Sequence, residues 1–169
     1  MSEKRSARYW KDKLGLHSHV EGGTFKETYR ASLQLPQDVL TDKHLGMRSA
    51  ATGIYFLLEQ GEFSAFHRIA SDEQWHFYDG VCLHIYEIQK DGTLIVHKLG
   101  LDIDKGELPQ ITIAAGSWFG SKVEEAGGYT LCGCTVAPGF DFADFELADR
   151  NILVKQYPQY AGIITMLTR

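Results

Sequence analysis

"GEFSAFHRIASDEQWHFYDG", residues 61–80, opens and closes on glycine and is built between them largely from strand-forming aromatics. In an extended chain successive side chains alternate between faces, so Ala65, His67 and Ile69 share one face, and Glu73, Trp75 and Phe77 share another. Turned inward, the two sets bring the imidazole of His67 and the carboxylate of Glu73 together inside aromatic walls. Mostly apolar walls with a few placed polar groups are the composition of a small-molecule pocket. His76, by the same period, faces the other way.

The alternation continues outward in both directions. TFKETYR (residues 24–30) sets Phe25, Glu27 and Tyr29 against Lys26, Thr28 and Arg30. GIYFLLE (residues 53–59) is apolar on both faces, as a strand held between two layers is. VCLHIYEIQK and TLIVHKLG flank Asp91-Gly92, a strong hairpin signal. Short strands are predicted over 62–69, 73–78, 110–114, 117–123 and 128–136 as well. A helix is predicted from about residue 6 to 14, ended by Gly15, and helices return over about 148–168, with Asp149 or Asp144 as the cap and Pro158 as a break. Without a linker or repeat, the pattern predicts one all-β domain over residues 1–169, a barrel over about 20–140 with helical ends.

Composition narrows the function. With 169 residues, 44% hydrophobic and 23% charged, the chain has the balance of a folded domain. A net charge of −5 and the lack of a Lys/Arg stripe argue against nucleic acid. No apolar run is long enough to cross a bilayer, and the first residues lack the apolar core of an export signal, so a cytoplasmic location is expected. Cys82, Cys132 and Cys134 have no zinc spacing and read as free thiols in a reducing compartment. The glycine pairs in EGG and AGG do not lead from strand into helix as a phosphate loop does. PGFDFADFELADR lacks the calcium-loop spacing and reads as a packed loop.

The pattern Gly61-x5-His67-x-Ile69-x3-Glu73-x6-Gly80 resembles the first cupin motif, G-x5-H-x-H-x3-E-x6-G, with Ile69 in place of the second histidine. AAGSWF (residues 114–119) resembles the second, P-x-G-x-x-H, keeping Gly116 but with Ala114 for the proline and Phe119 for the histidine. HVEGGTFKETYR, the run from Gly53 to Gly80, and GCTVAPGFDFADFELADR look like the cupin family long catalogued only as a domain of unknown function. The resemblance runs from about Leu14 onward. It implies a double-stranded β-helix (jelly-roll) barrel, commonly a homodimer, but names no reaction; a small-molecule ligand is expected, and carbohydrate-like, nucleotide-sugar and small-acid compounds all fit the residues.

A usual cupin site offers three histidines and one glutamate, and the resemblance leaves only His67 and Glu73. Two ligands would hold a divalent ion weakly, because catalytic sites generally use three, and His84 and His97 sit on the hairpin away from the motif. No cofactor is therefore expected. The chain is similar, at superfamily level only, to the dTDP-4-dehydrorhamnose 3,5-epimerases, which use a barrel histidine as base without a metal; His67 holds that position in the motif. An imidazole beside a carboxylate can move a proton next to a carbonyl, with Glu73 orienting it or serving as the second acid–base group. The expected catalytic pair is His67 and Glu73. Trp75, Phe77, Ile69, Phe119, Tyr55, Tyr29 and Glu27 are expected around the ligand, the tyrosines as proton donors, although Glu27 also reads as an ion-pair partner for Arg30, Arg48 or Arg68. Three functions stay open: a metal-independent isomerase or epimerase of a sugar or nucleotide sugar, a non-catalytic ligand-binding cupin, and a metal-dependent cupin enzyme with a reduced ligand set.

Overall fold

The structure is a computed structural model that describes residues 5–169. Helix α1 (Ala7–Leu14) starts where the Ser6 hydroxyl accepts from the Tyr9 amide and ends at Gly15 in the left-handed conformation. Strands follow: β1 (His17–Ser18), β2 (Thr24–Arg30), β3 (Gln34–Leu35), β4 (Arg48–Ser49), β5 (Thr52–Glu59) and β6 (Phe63–Arg68). Next come β7 (Asp72–Gly80), β8 (Leu83–Ile88), β9 (Leu94–Leu99), β10 (Gln110–Ile113), β11 (Trp118–Val123), β12 (Tyr129–Ala137) and β13 (Glu146–Leu147). Helices α2 (Arg150–Gln156) and α3 (Ala161–Met166) complete the order.

The strands form two antiparallel sheets, one ordered β1-β2-β5-β12-β7-β10 and the other β13-β6-β11-β8-β9, with β3 and β4 paired separately. From β5 to β8, and again from β9 to β13, successive strands alternate between the sheets, which is the jelly-roll arrangement of a double-stranded β-helix. Inward residues of the first sheet (Phe56, Leu58, Trp75, Cys132) meet those of the second (Leu83, Ile85, Phe119, Val123) in one core. Both outer faces are covered as well. Helix α1 lays Trp10 and Leu14 over Leu57 and Leu131, so β5 is apolar on both sides because both sides are buried. Helices α2 and α3 set Leu153, Ile164 and Leu167 against Phe66, Ile88 and Trp118. Each such large side chain contributes about 2–3 kcal/mol by leaving water. The packing also fixes register: with Phe66 held under the helices, His67 must point into the barrel.

Local chemistry matches the turns. Asp91-Gly92 sits between β8 and β9, where the Asp91 carboxylate accepts from the Thr93 amide at 2.9 Å and Gly92 takes φ +87. Asp149 caps α2 by accepting from the Ile152 amide at 3.0 Å. Asp144, the other candidate cap, instead holds Arg48 in a buried two-bond pair at 2.5 and 2.6 Å, tying the 140s loop to β4. Among the described residues no helix is long and apolar enough to cross a membrane.

Candidate functional site

A cavity of about 250 Å³ opens at one end of the barrel, between β2, β5, β6, β7, β12 and the loop after β12. Phe25, Ile54, Phe56, Ile69, Val136 and Phe140 give it apolar walls. His67 and Glu73 both line it, as the alternation of β6 and β7 predicts. They are nevertheless not each other's partner. The ring Nδ1 of His67 donates to the Ala65 carbonyl at 2.7 Å, which turns Nε2 toward Glu21, whose Oε2 lies 3.2 Å away. That tautomer is assigned from the hydrogen-bond pattern. The other oxygen of Glu21 accepts from the Ser64 hydroxyl at 2.9 Å.

Glu21 is brought there by the EGG turn. Gly22 adopts φ +117, and a Cβ on it would lie 2.0 Å from the Phe63 carbonyl oxygen, so only glycine lets the turn press against β6. In that position the Glu21 carbonyl accepts from the Ala65 amide at 2.8 Å. Arg169 closes the turn from outside, donating to the carbonyls of Val20 at 2.8 Å and Glu21 at 3.2 Å. His19 follows on the same segment. Its Nδ1 accepts from the Glu21 amide at 3.2 Å and stands 3.5 Å from Glu21 Oε2. Burial holds the His19 imidazole below its ordinary value, with Glu21 opposing and His67 assisting that shift. A signal for this cluster exists in the sequence: HSHVE alternates His17, His19 and Glu21, which places three ionisable groups on one side of an extended segment.

Glu73 has a different environment. It is buried, and burial first, then the negative charge of Glu21, pushes its carboxyl up to about 8, against a smaller opposing effect of a hydrogen bond with the Cys134 thiol. Glu73 is thus a neutral acid at pH 7, able to donate. Cys134 is raised in turn, by burial and by its neighbours Cys132 and Glu73.

The other expected residues separate into three groups. Ile69 and Glu27 line the cavity, Glu27 at its mouth, bound through both oxygens to Arg30 at 2.9 and 2.7 Å. Trp75 and Phe119 stand behind the wall: both are buried, and Phe119 packs 4.1 Å (ring centroids) from His67 and 6.4 Å from Trp75. Phe77 packs against the same core and does not line the cavity. Tyr29 and Tyr55 lie elsewhere. A bulge in β2 between Glu27 and Tyr29 breaks the alternation, leaving Tyr29 57% exposed. Tyr55 lies between the cavity residues Ile54 and Phe56 and so falls on the outer face, edge-on to Tyr78. Neither tyrosine lines the cavity. His76 is on the outer face with Thr135 and Gln110, and Arg68 pairs with Glu146.

The donor set does not suit the metal of a four-ligand cupin site. Ile69 and Phe119 supply no donor atom, both ring nitrogens of His67 are engaged, and Glu73 is protonated. Among the described residues no group of three or more His, Cys, Asp or Glu side chains is close enough to hold an ion.

The model of the family described as Cupin superfamily (DUF985) matches residues 8–148. The chain belongs to that family. Two solved structures resemble this cupin along nearly their whole length. Protein SO0799 from Shewanella oneidensis is 39% identical with a TM-score of 0.88, covering 98% of each chain. A hypothetical protein from Leishmania major is 32% identical with a TM-score of 0.89, covering 97% of this chain and 99% of its own. A cupin 2 domain-containing protein from Halorhodospira halophila, 14% identical over 90% of this chain and 87% of its own, with a TM-score of 0.55, shares the fold alone. No curated protein matches the chain.

Proposed function

We propose that this cupin binds a small, sugar-like carbonyl compound in its barrel cavity and shifts a proton on it without a metal, as an isomerase or epimerase does. One observation carries the reading: the buried Glu21–His67 pair shares a cavity with Glu73, a carboxyl kept protonated. A carboxyl held protonated can supply the acid of a proton transfer, and an imidazole–carboxylate pair beside it the base. The Glu21–His67 pair takes the proton from the carbon beside the carbonyl, while Glu73 gives its proton to the carbonyl oxygen. The pair then returns that proton to the neighbouring carbon while Glu73 takes back a proton from the other enediol hydroxyl, which completes isomerisation; epimerisation requires the intermediate to present its other face to the pair before the proton returns. His67 and Glu73 keep the roles their motif positions suggest, with Glu21 added to the base.

A panel of aldoses and ketoses incubated with the protein in D2O tests this by proton NMR. Deuterium should enter at the carbon next to the carbonyl of at least one sugar, and Glu21→Gln and Glu73→Gln should each slow that exchange by about a hundredfold or more. Exchange unaffected by either substitution would refute it.

A second reading, non-catalytic binding, is favoured by the saturation of the pair: each nitrogen of His67 and each oxygen of Glu21 already has a partner. A sugar that binds without exchanging any proton would select it. The reading extends to a cytoplasmic homodimer, supported by the free cysteines and by the exposed Leu33, Val39, Leu45 and Met47 between β2 and β5. Sedimentation giving a monomer at micromolar concentration would exclude the dimer.

A further inference from the structure

The charges around the cavity are lopsided. Among the described residues three carboxylates line it, Glu21, Glu27 and Asp141, with Glu73 a neutral acid, against a single guanidinium, that of Arg30. Arg30 is already paired. Both oxygens of Glu27 hold it, and two of its nitrogens also donate to the Phe140 carbonyl at 3.3 Å. Asp141 stands near enough to add its own negative field to the guanidinium. Deeper in, His67 already faces Glu21, and burial disfavours the charged form of His19. An anion entering this space would find no unpaired cation, a carboxylate pair at the mouth and Glu21 at the floor. Like charges repel far more strongly between low-dielectric walls than in water.

Size points the same way. A volume of about 250 Å³ falls below the roughly 300–1,000 Å³ of clefts that hold drug-sized ligands and suits one sugar ring. A nucleotide-linked sugar would have to leave its diphosphate at the mouth, between Glu27 and Asp141.

We infer that the cavity admits an uncharged polar molecule of about one sugar ring and turns away its phosphorylated and nucleotide-linked forms. This rests on the reading of the cavity as the ligand site, but not on any reaction there. The role of Glu27 and Asp141 is to reject anions: Glu27 by occupying Arg30, Asp141 by its own charge. Phe140 and Phe142 beside them offer apolar ring faces to the C–H side of a sugar.

Cys134 lines the cavity and reports on what enters it. Two methanethiosulfonates of similar size serve as probes, one bearing a neutral hydroxyethyl group and one a sulfonatoethyl anion. Each is attacked at sulfur by the Cys134 thiolate, forming a mixed disulfide and releasing methanesulfinate. Rates are read by fragment mass spectrometry, which separates Cys134 from Cys132, and each is divided by the rate of the same reagent on the unfolded chain. The normalised neutral rate should exceed the anionic one at least tenfold, equivalent to about 1.4 kcal/mol. Glu27→Gln, which frees Arg30, and Asp141→Asn should each narrow the ratio to a few-fold. Anionic labelling as fast as neutral labelling would overturn the inference, as would a Cys134 that the neutral reagent cannot reach. The proton-transfer reading fails separately: a protein with this charge preference but no deuterium exchange keeps the inference and loses the reaction.

Discussion

Replacing Glu73 with glutamine should stabilise the protein, and by an amount that depends on pH. The carboxyl titrates near 4.5 when exposed and near 8 in the folded cavity. Between those values the unfolded chain has released the proton that the folded chain retains, so folding must take one up. Stability is therefore complete below about pH 4.5 and declines as pH rises, by about 1.4 kcal/mol per unit, until the folded group itself ionises near 8. At pH 7 the wild-type carboxyl has cost roughly 3 kcal/mol relative to pH 4.5. Glutamine keeps the shape and one carbonyl acceptor but has no proton to take up. Its variant should match the wild type at pH 4.5 and exceed it by roughly 3 kcal/mol at pH 7, a melting shift on the order of 6–12 °C for a chain of this size. Urea unfolding of both proteins at half-unit intervals from pH 4.5 to 9 measures the difference directly. A difference that stays flat across that range, or a wild type that gains on the variant as pH rises, would refute the claim that Glu73 is buried as a neutral acid.

Glu21→Ala should lower stability by about 3–5 kcal/mol, because it strands His67 and Ser64 in the interior, and urea midpoints would show it. Glu21→Gln should bring the Glu73 titration, followed by carboxyl NMR shifts, down from about 8, since the Glu21 charge is one of the causes that raise it. The two motif glycines should separate sharply. A Cβ at Gly80 would meet the Tyr129 carbonyl oxygen at 2.0 Å while one at Gly61 would meet nothing within 4 Å, so Gly80→Ala should cost about 3 kcal/mol and Gly61→Ala about 1 kcal/mol of backbone strain. Arg48→Ala should cost a further 3–5 kcal/mol by leaving Asp144 buried without its cation; a loss under about 1 kcal/mol by thermal melting would show the pair to be replaceable.

The barrel was legible because its signals are local. Glycine spacing, strict alternation in β6 and β7, the Asp-Gly turn and the two-sided apolarity of β5 each act within a few residues. His67, Ile69 and Glu73 reach the cavity for that reason. The partner of His67 was hidden because it comes from a turn that docks across the sheets: Glu21 and Ser64 lie 43 positions apart. Tyr29 shows the other limit. One bulge in β2 reverses its face, and no feature of TFKETYR marks the break. Trp75 and Phe119 have the right direction but the wrong depth, since periodicity tells which way a side chain points and not whether another stands in front of it.

The clamp of Arg169 on the turn at Val20 and Glu21 has a temporal consequence. Residues 148 positions apart must meet before the base of the cavity is secured, so both sheets can close while the pocket is still unfinished. A chain cut before α3 would lose that clamp and leave the turn held to β6 through the Ala65 amide, Ser64 and His67. Docking of that turn would then follow closure of the barrel that receives it.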